Sequence, residues 1–151
     1  MYLKLLNIFF VIIYAIGSGL WVSTGDSWYR SLNAPAWQPP DWVFGVIWPY
    51  NFTVLGIAGW IVIANKNKSW GTLWLSLFSI SIIFALAWAN LFYVHHSLGK
   101  ASVALALAAI FTLPLLVLAY KANWKVGLLL TPYQVWVTTA TFLSFSYNKL
   151  N

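Results

Sequence analysis

The 151-residue chain contains no cysteine and no glutamate, and its only acidic residues are Asp26 and Asp41. Without cysteine there is no disulfide framework, no thiolate nucleophile and no thiolate metal site. Two aspartates in one segment make a poor general acid–base pair, and no dinucleotide-binding, phosphate-cradling or nucleophile-elbow pattern occurs. Charged residues are also scarce, at 7% of the chain against roughly 25% in soluble domains, while 62% is hydrophobic. One soluble core of this size cannot hide that much apolar surface, so lipid is the expected solvent. Lys4, Lys66, Lys68, Lys100, Lys121, Lys125 and Lys149 stand near the ends of apolar runs rather than in a patch. That spacing anchors membrane loops and gives no nucleic-acid footprint.

A membrane span needs about 20 mostly apolar residues. Runs that qualify lie at about 3–22, 42–64, 70–94, 99–120 and 125–147. They predict a single all-α membrane domain over 1–151, a five-transmembrane-helix bundle. The first run is too long for a signal-peptide core and lacks a small-residue cleavage site, so it is expected to remain as a span. The later connections are short and make consecutive helices antiparallel neighbours. Only the first, about 23–41, is long. Lys4, Lys66, Lys68, Lys121 and Lys125 fall on one side and Arg30, Lys100 and Lys149 on the other, which by the positive-inside rule places the N-terminus in the cytoplasm.

Small residues at helical spacing (Ala15 and Gly19; Gly56 and Gly59; Ala101, Ala104 and Ala108) mark either close helix approach or the ordinary composition of spans. Pro49, Pro114 and Pro132 each remove a backbone donor inside a span and predict kinks, with Gly45 giving room before Pro49. Such breaks survive in lipid where the freed carbonyl faces protein or a cavity.

The most varied stretch is Trp28 to Trp48, which holds Trp37 and Trp42, Pro35, Pro39 and Pro40, the only arginine, Arg30, and Asp41. Asp41 reads as the N-cap of the second span and Asp26 as the cap of a short turn, with Arg30 able to pair with either or to meet an acidic ligand group. Trp48 and Phe52 share one helix face, as do Trp88 and Phe92; Trp136, Ala140 and Ser144 form a stripe on the fifth span. If these faces converge they line a flat-walled chamber for a planar guest. Tryptophans near span ends otherwise form interfacial belts, and Trp21, Trp42, Trp60, Trp70, Trp74 and Trp124 are assigned to one. Trp48, Trp88 and Trp136 lie deeper, where chamber and belt both stay open. His95-His96 reads as a polar interfacial loop, since no further His, Cys or Glu completes a haem or metal site. Leu143, Tyr147 and Lys149, and again Leu118, Tyr120 and Lys125, match a loose sterol-contact pattern.

Taken together, Trp28-Tyr29, Leu32, Pro35, Trp37, Pro39-Pro40, Trp42, Phe44, Trp48 and Gly56, then Trp88 with Leu91-Phe92-Tyr93, then Pro132-Tyr133 with Trp136, Ala140 and Leu143, resemble the TspO/MBR family over the whole chain. The resemblance implies a five-helix bundle in a bacterial cell membrane, often a homodimer. Its first loop would act as a lid over a pocket for porphyrins, haem, sterols or benzodiazepine-type ligands. Carried over by position, Tyr29, Trp37, Pro39, Trp48, Phe52, Trp88, Phe92, Trp136, Ala140 and Ser144 would line that pocket. The implied role is a membrane receptor or sensor with porphyrin or haem as ligand and no required cofactor or metal. Light-dependent porphyrin breakdown through Trp48 and Trp136 is the enzymatic alternative. Transport of a tetrapyrrole or sterol ranks behind both, because midplane charge is lacking and five spans do not halve into repeats. Two positions depart from the family pattern: Ala85 and Ser144 stand where asparagines are usual, and both changes remove a polar contact.

Overall fold

Every apolar run expected to cross the membrane is a helix. The computed structural model describes residues 1–65 and 67–151; Lys66, counted above among the basic loop residues, lies outside them. The long helices are α1 (Tyr2–Thr24), α3 (Asp41–Asn65), α4 (Lys68–Tyr93), α5 (Leu98–Ala122) and α6 (Trp124–Leu150), and each is long and apolar enough to cross a membrane. A short helix, α2 (Asp26–Ser31), stands in the first connection, where the sequence indicates a short turn at Asp26.

Helix starts follow local chemistry. The side chain of Asn67 accepts a bond from the backbone N–H of Trp70 to open α4, and Asn123 accepts one from Lys125 to open α6. Asp41 does not cap α3: it is the first helical residue, where its charge faces the positive end of the helix dipole. Asp26 likewise opens α2 from inside the helix. Pro49, Pro114 and Pro132 all sit within continuous helices. One turn before Pro132, the Leu129 carbonyl accepts the Tyr50 hydroxyl at 2.7 Å, a bond that ties α3 to the stretch proline weakens.

Around the bundle the spans run α1, α3, α6, α5, α4 and back to α1, with α3 also touching α4 and α5. Single polar side chains cross these seams. Asn7 of α1 donates to the Gly56 carbonyl of α3 at 3.2 Å and accepts the Trp74 indole N–H of α4 at 2.8 Å. Trp74 is therefore not part of an interfacial belt: it is wholly buried, and its N–H is satisfied by a polar residue 67 positions earlier. Gly59 makes that meeting fit, because a Cβ there would strike Asn7 and Trp74. Thr112 and Gln134 clamp α5 to α6, and Ser81 reaches the Ala108 carbonyl between α4 and α5 at 3.3 Å. Gly56, Ala101, Ala104 and Ala108 are buried at helix contacts, whereas Gly19 faces open space. The remaining outer faces present Ile12, Ile16, Ile110, Val117, Val135 and Phe142 outward, as a lipid solvent requires.

Candidate functional site

At the end of the bundle where α2 lies, the aromatic faces do converge. A cavity of 360 Å³ is walled by Phe44 and Trp48 of α3, Trp88, Phe92 and Tyr93 of α4, and Trp136, Ala140, Leu143, Ser144 and Tyr147 of α6, with Tyr29 of α2 over it. That volume falls within the roughly 300–1,000 Å³ of small-molecule sites. Phe44 meets Trp136 edge-on at 5.2 Å between ring centroids, and Tyr29 lies 5.5 Å from Tyr147 and 6.2 Å from Phe92.

Its polar groups are few and unequal. The Trp88 indole N–H donates to the Ser144 hydroxyl at 3.3 Å, and Ser144 pairs with Ser102 at 2.9 Å. Ser144 thus keeps a polar contact in the wall. The buried indole N–H of Trp136 has no hydrogen-bond partner among the described residues. A buried donor left unpaired costs about 1–3 kcal/mol, so this one is a ready hydrogen bond for a guest. Ala85, the other departure, is buried in the apolar core away from the cavity lining.

The mouth gathers the chain's only arginine and both its acids. Arg30 holds Asp26 through Nε at 3.1 Å and reaches Asp41 more loosely at 3.9 Å, which joins α2 to the start of α3. Hydrogen bonding and the charge of Asp26, then the charge of Asp41, raise the guanidinium pKa further, so it stays a cation. Asp26 and Asp41 outnumber Arg30, so the rim is net negative; an acidic ligand group gains Arg30 chiefly by displacing the looser Asp41. Burial, then the neighbouring Tyr147 hydroxyl, raise the Tyr29 pKa well above its usual value, so the phenol is neutral at physiological pH.

Contacts on several sides hold the cover in place. Gly25, at the α1–α2 corner, backs onto Tyr93 so closely that a Cβ would lie 2.7 Å from that ring. Trp28 stacks on His96 at 3.9 Å and 9° and meets Phe92 edge-on, which gives His96 a packing role in the cover. Beyond α2 the chain turns where the Gln38 N–H donates to the Pro35 carbonyl at 3.0 Å; Asn33 exchanges bonds with Asn151 at 2.8 and 3.2 Å, and the Tyr147 hydroxyl donates to Gln38. Arg30 and Asp41 add an ion pair.

Of the residues picked from the sequence, Tyr29, Trp48, Trp88, Phe92, Trp136, Ala140 and Ser144 share this cavity. Trp37, Pro39 and Phe52 do not. Trp37 is about half exposed, and Pro39 lies in the segment between α2 and α3. Phe52 stacks on Trp48 at 5.8 Å but lies beyond it, on the wall of a lipid-facing groove. Leu143 and Tyr147, taken as part of a sterol-contact strip, are buried and face the cavity instead of lipid. Val22, Phe44 and Tyr93 were not among the predicted lining residues.

These features define an integral membrane protein with an aromatic chamber set between its spans and closed by a strapped first connection. Residues 8–150 match the TspO/MBR family, and the chain belongs to it. Protein CrtK of Rhodobacter capsulatus is 31% identical over 100% of this chain and 95% of its own length. The tryptophan-rich sensory protein of Cereibacter sphaeroides is 30% identical over 83% and 78%, and human translocator protein 26% identical over 86% and 78%.

Proposed function

We propose that the chamber binds a porphyrin- or haem-like ligand and that the protein acts as a membrane receptor or sensor for it. The observation that carries this reading is the unpartnered indole N–H of Trp136 in the wall of an otherwise aromatic and apolar cavity. A flat macrocycle gains from ring faces and edges on several sides, and one acceptor on it satisfies the waiting donor. The described cavity lining is mostly aromatic and contains no histidine, and ring contacts supply the affinity in this reading. Free-base porphyrin and haem are then bound comparably. In this reading the N-terminus is cytoplasmic, since Lys4, Lys68, Lys121 and Lys125 cluster at the end opposite the mouth, and the membrane is a bacterial cell membrane.

A second reading, light-dependent breakdown of the bound porphyrin, is favoured by Trp48 and Trp136 facing one cavity. Titration with protoporphyrin in the dark and under illumination separates the two, using wild type, Trp48→Phe and Trp136→Phe. Saturable fluorescence quenching in the dark with pigment intact in the light supports the receptor. Protein-dependent bleaching lost in either variant supports the enzyme, and an absence of saturable quenching overturns both.

A further inference from the structure

On the outside of the bundle, α1 and α3 leave a groove of 510 Å³ between Ile8, Val11, Phe52, Gly56, Ile57 and Trp60, almost entirely apolar. Its floor is deep because Gly56 has no side chain; a Cβ there would already touch Ile8 at 3.6 Å. Thr53, also on its wall, turns its hydroxyl to the Pro49 carbonyl at 2.8 Å and so adds no free polar group. From Trp60 to Phe52 the groove descends about 12 Å along α3, close to the depth of one leaflet of a hydrocarbon layer about 30 Å thick.

A cation stands at the upper end. The Lys4 ammonium lies 5.0 Å from the centroid of the Trp60 ring, one turn of α1 above Ile8. Lys4 makes no ion pair among the described residues, because both aspartates are at the opposite end with Arg30. A groove one leaflet deep, headed by an unneutralised ammonium on an interfacial tryptophan, suits one kind of occupant. A second copy of this chain side by side in the membrane offers that ammonium no counter-charge, because both aspartates lie at the opposite end, whereas a lipid phosphate does.

We infer that this groove binds an anionic glycerophospholipid, with one acyl chain lying along Ile8, Phe52, Gly56 and Ile57 and the phosphate beside Lys4. Occupancy is set jointly by charge at Lys4 and by free space beside Thr53.

The test uses purified full-length protein in detergent, offered equal amounts of phosphatidylglycerol and phosphatidylcholine, with bound lipid read by native mass spectrometry. Wild type is expected to retain phosphatidylglycerol about fivefold over phosphatidylcholine, the effect of about one basic residue at an anionic surface. Lys4→Gln should abolish that preference, and Thr53→Trp, which fills the groove from its exposed wall, should abolish retention of both lipids. Lys125→Gln, at the same end but on α6 beside Trp124, should leave the preference unchanged. Circular dichroism confirms that each variant is folded. The inference is overturned by equal retention of the two lipids in wild type, by equal losses in Lys4→Gln and Lys125→Gln, or by a Thr53→Trp variant that binds lipid as before. It is also overturned if Thr53→Trp alters only the dimer population, which would make the groove a seam between copies.

Discussion

The indole N–H of Trp88 on α4 meets the hydroxyl of Ser144 on α6 at 3.3 Å, and Ser102 of α5 closes the group 2.9 Å from Ser144. One hydroxyl thereby joins three helices at the chamber wall. Ser144→Ala strands the Trp88 donor and should cost about 1–3 kcal/mol, seen as a lower midpoint of thermal unfolding in micelles. Ser146→Ala, which breaks only a local bond to the Phe142 carbonyl, should stay within about 0.5 kcal/mol of wild type.

Trp136→Phe should separate binding from stability. The indole N–H has no partner to lose on folding, so removing it carries no hydrogen-bond penalty in the unliganded protein. A ligand acceptor does lose its donor, and affinity should fall about fivefold, near 1 kcal/mol. Paired measurement of the dissociation constant and the unfolding midpoint checks this: the first should move well beyond what the second accounts for.

Two glycines of α3 should respond in opposite directions. At Gly59 a methyl group collides with the Asn7 and Trp74 pair, so Gly59→Ala should destabilise by about 1–3 kcal/mol. Nothing lies within 4 Å of the Cβ position at Gly45, and Gly45→Ala should stabilise the helix by about 0.5–1 kcal/mol. Equilibrium unfolding of the two variants side by side gives the comparison.

The strap should govern ligand release. Pro39 and Pro40 restrict the backbone between the Gln38 bond to Tyr147 and the start of α3. Replacing them by Gly-Gly raises the freedom lost on closure by about 0.4–1 kcal/mol per site, so the off-rate in stopped flow should rise about fivefold while the bundle melts as before. Tyr147→Phe, which removes the bond to Gln38, should shift the off-rate the same way.

Much of this arrangement was legible because lipid imposes long uninterrupted apolar runs; the caps Asn67 and Asn123 were not, since in the sequence they stand only as polar residues of short connections. Where helix α2 stands the sequence indicates only a short turn at Asp26, because six residues containing Trp28, Tyr29, Asp26 and Arg30 carry no apolar period. Trp74 was misread because its partner, Asn7, is a lone polar residue in a distant run, and pairing at that separation leaves no local pattern. Phe52 shares a face with Trp48, yet one helical turn takes it past the chamber to the lipid side. Tyr147 could have been found: the Trp136, Ala140, Ser144 stripe continues to it at the next helical step, and Leu143 flanks that stripe.

In the proposed function a planar ligand occupies the chamber between α3, α4 and α6. Ala140 lines that space and is only partly buried, so a phenyl ring there fills the cavity without entering the packed core. The direct measurement is the equilibrium dissociation constant of protoporphyrin, by fluorescence quenching in the dark, for wild type and Ala140→Phe of equal helical content. Saturable binding by wild type, weakened at least about tenfold in the variant, is the predicted result; equal affinities for the two proteins would contradict it.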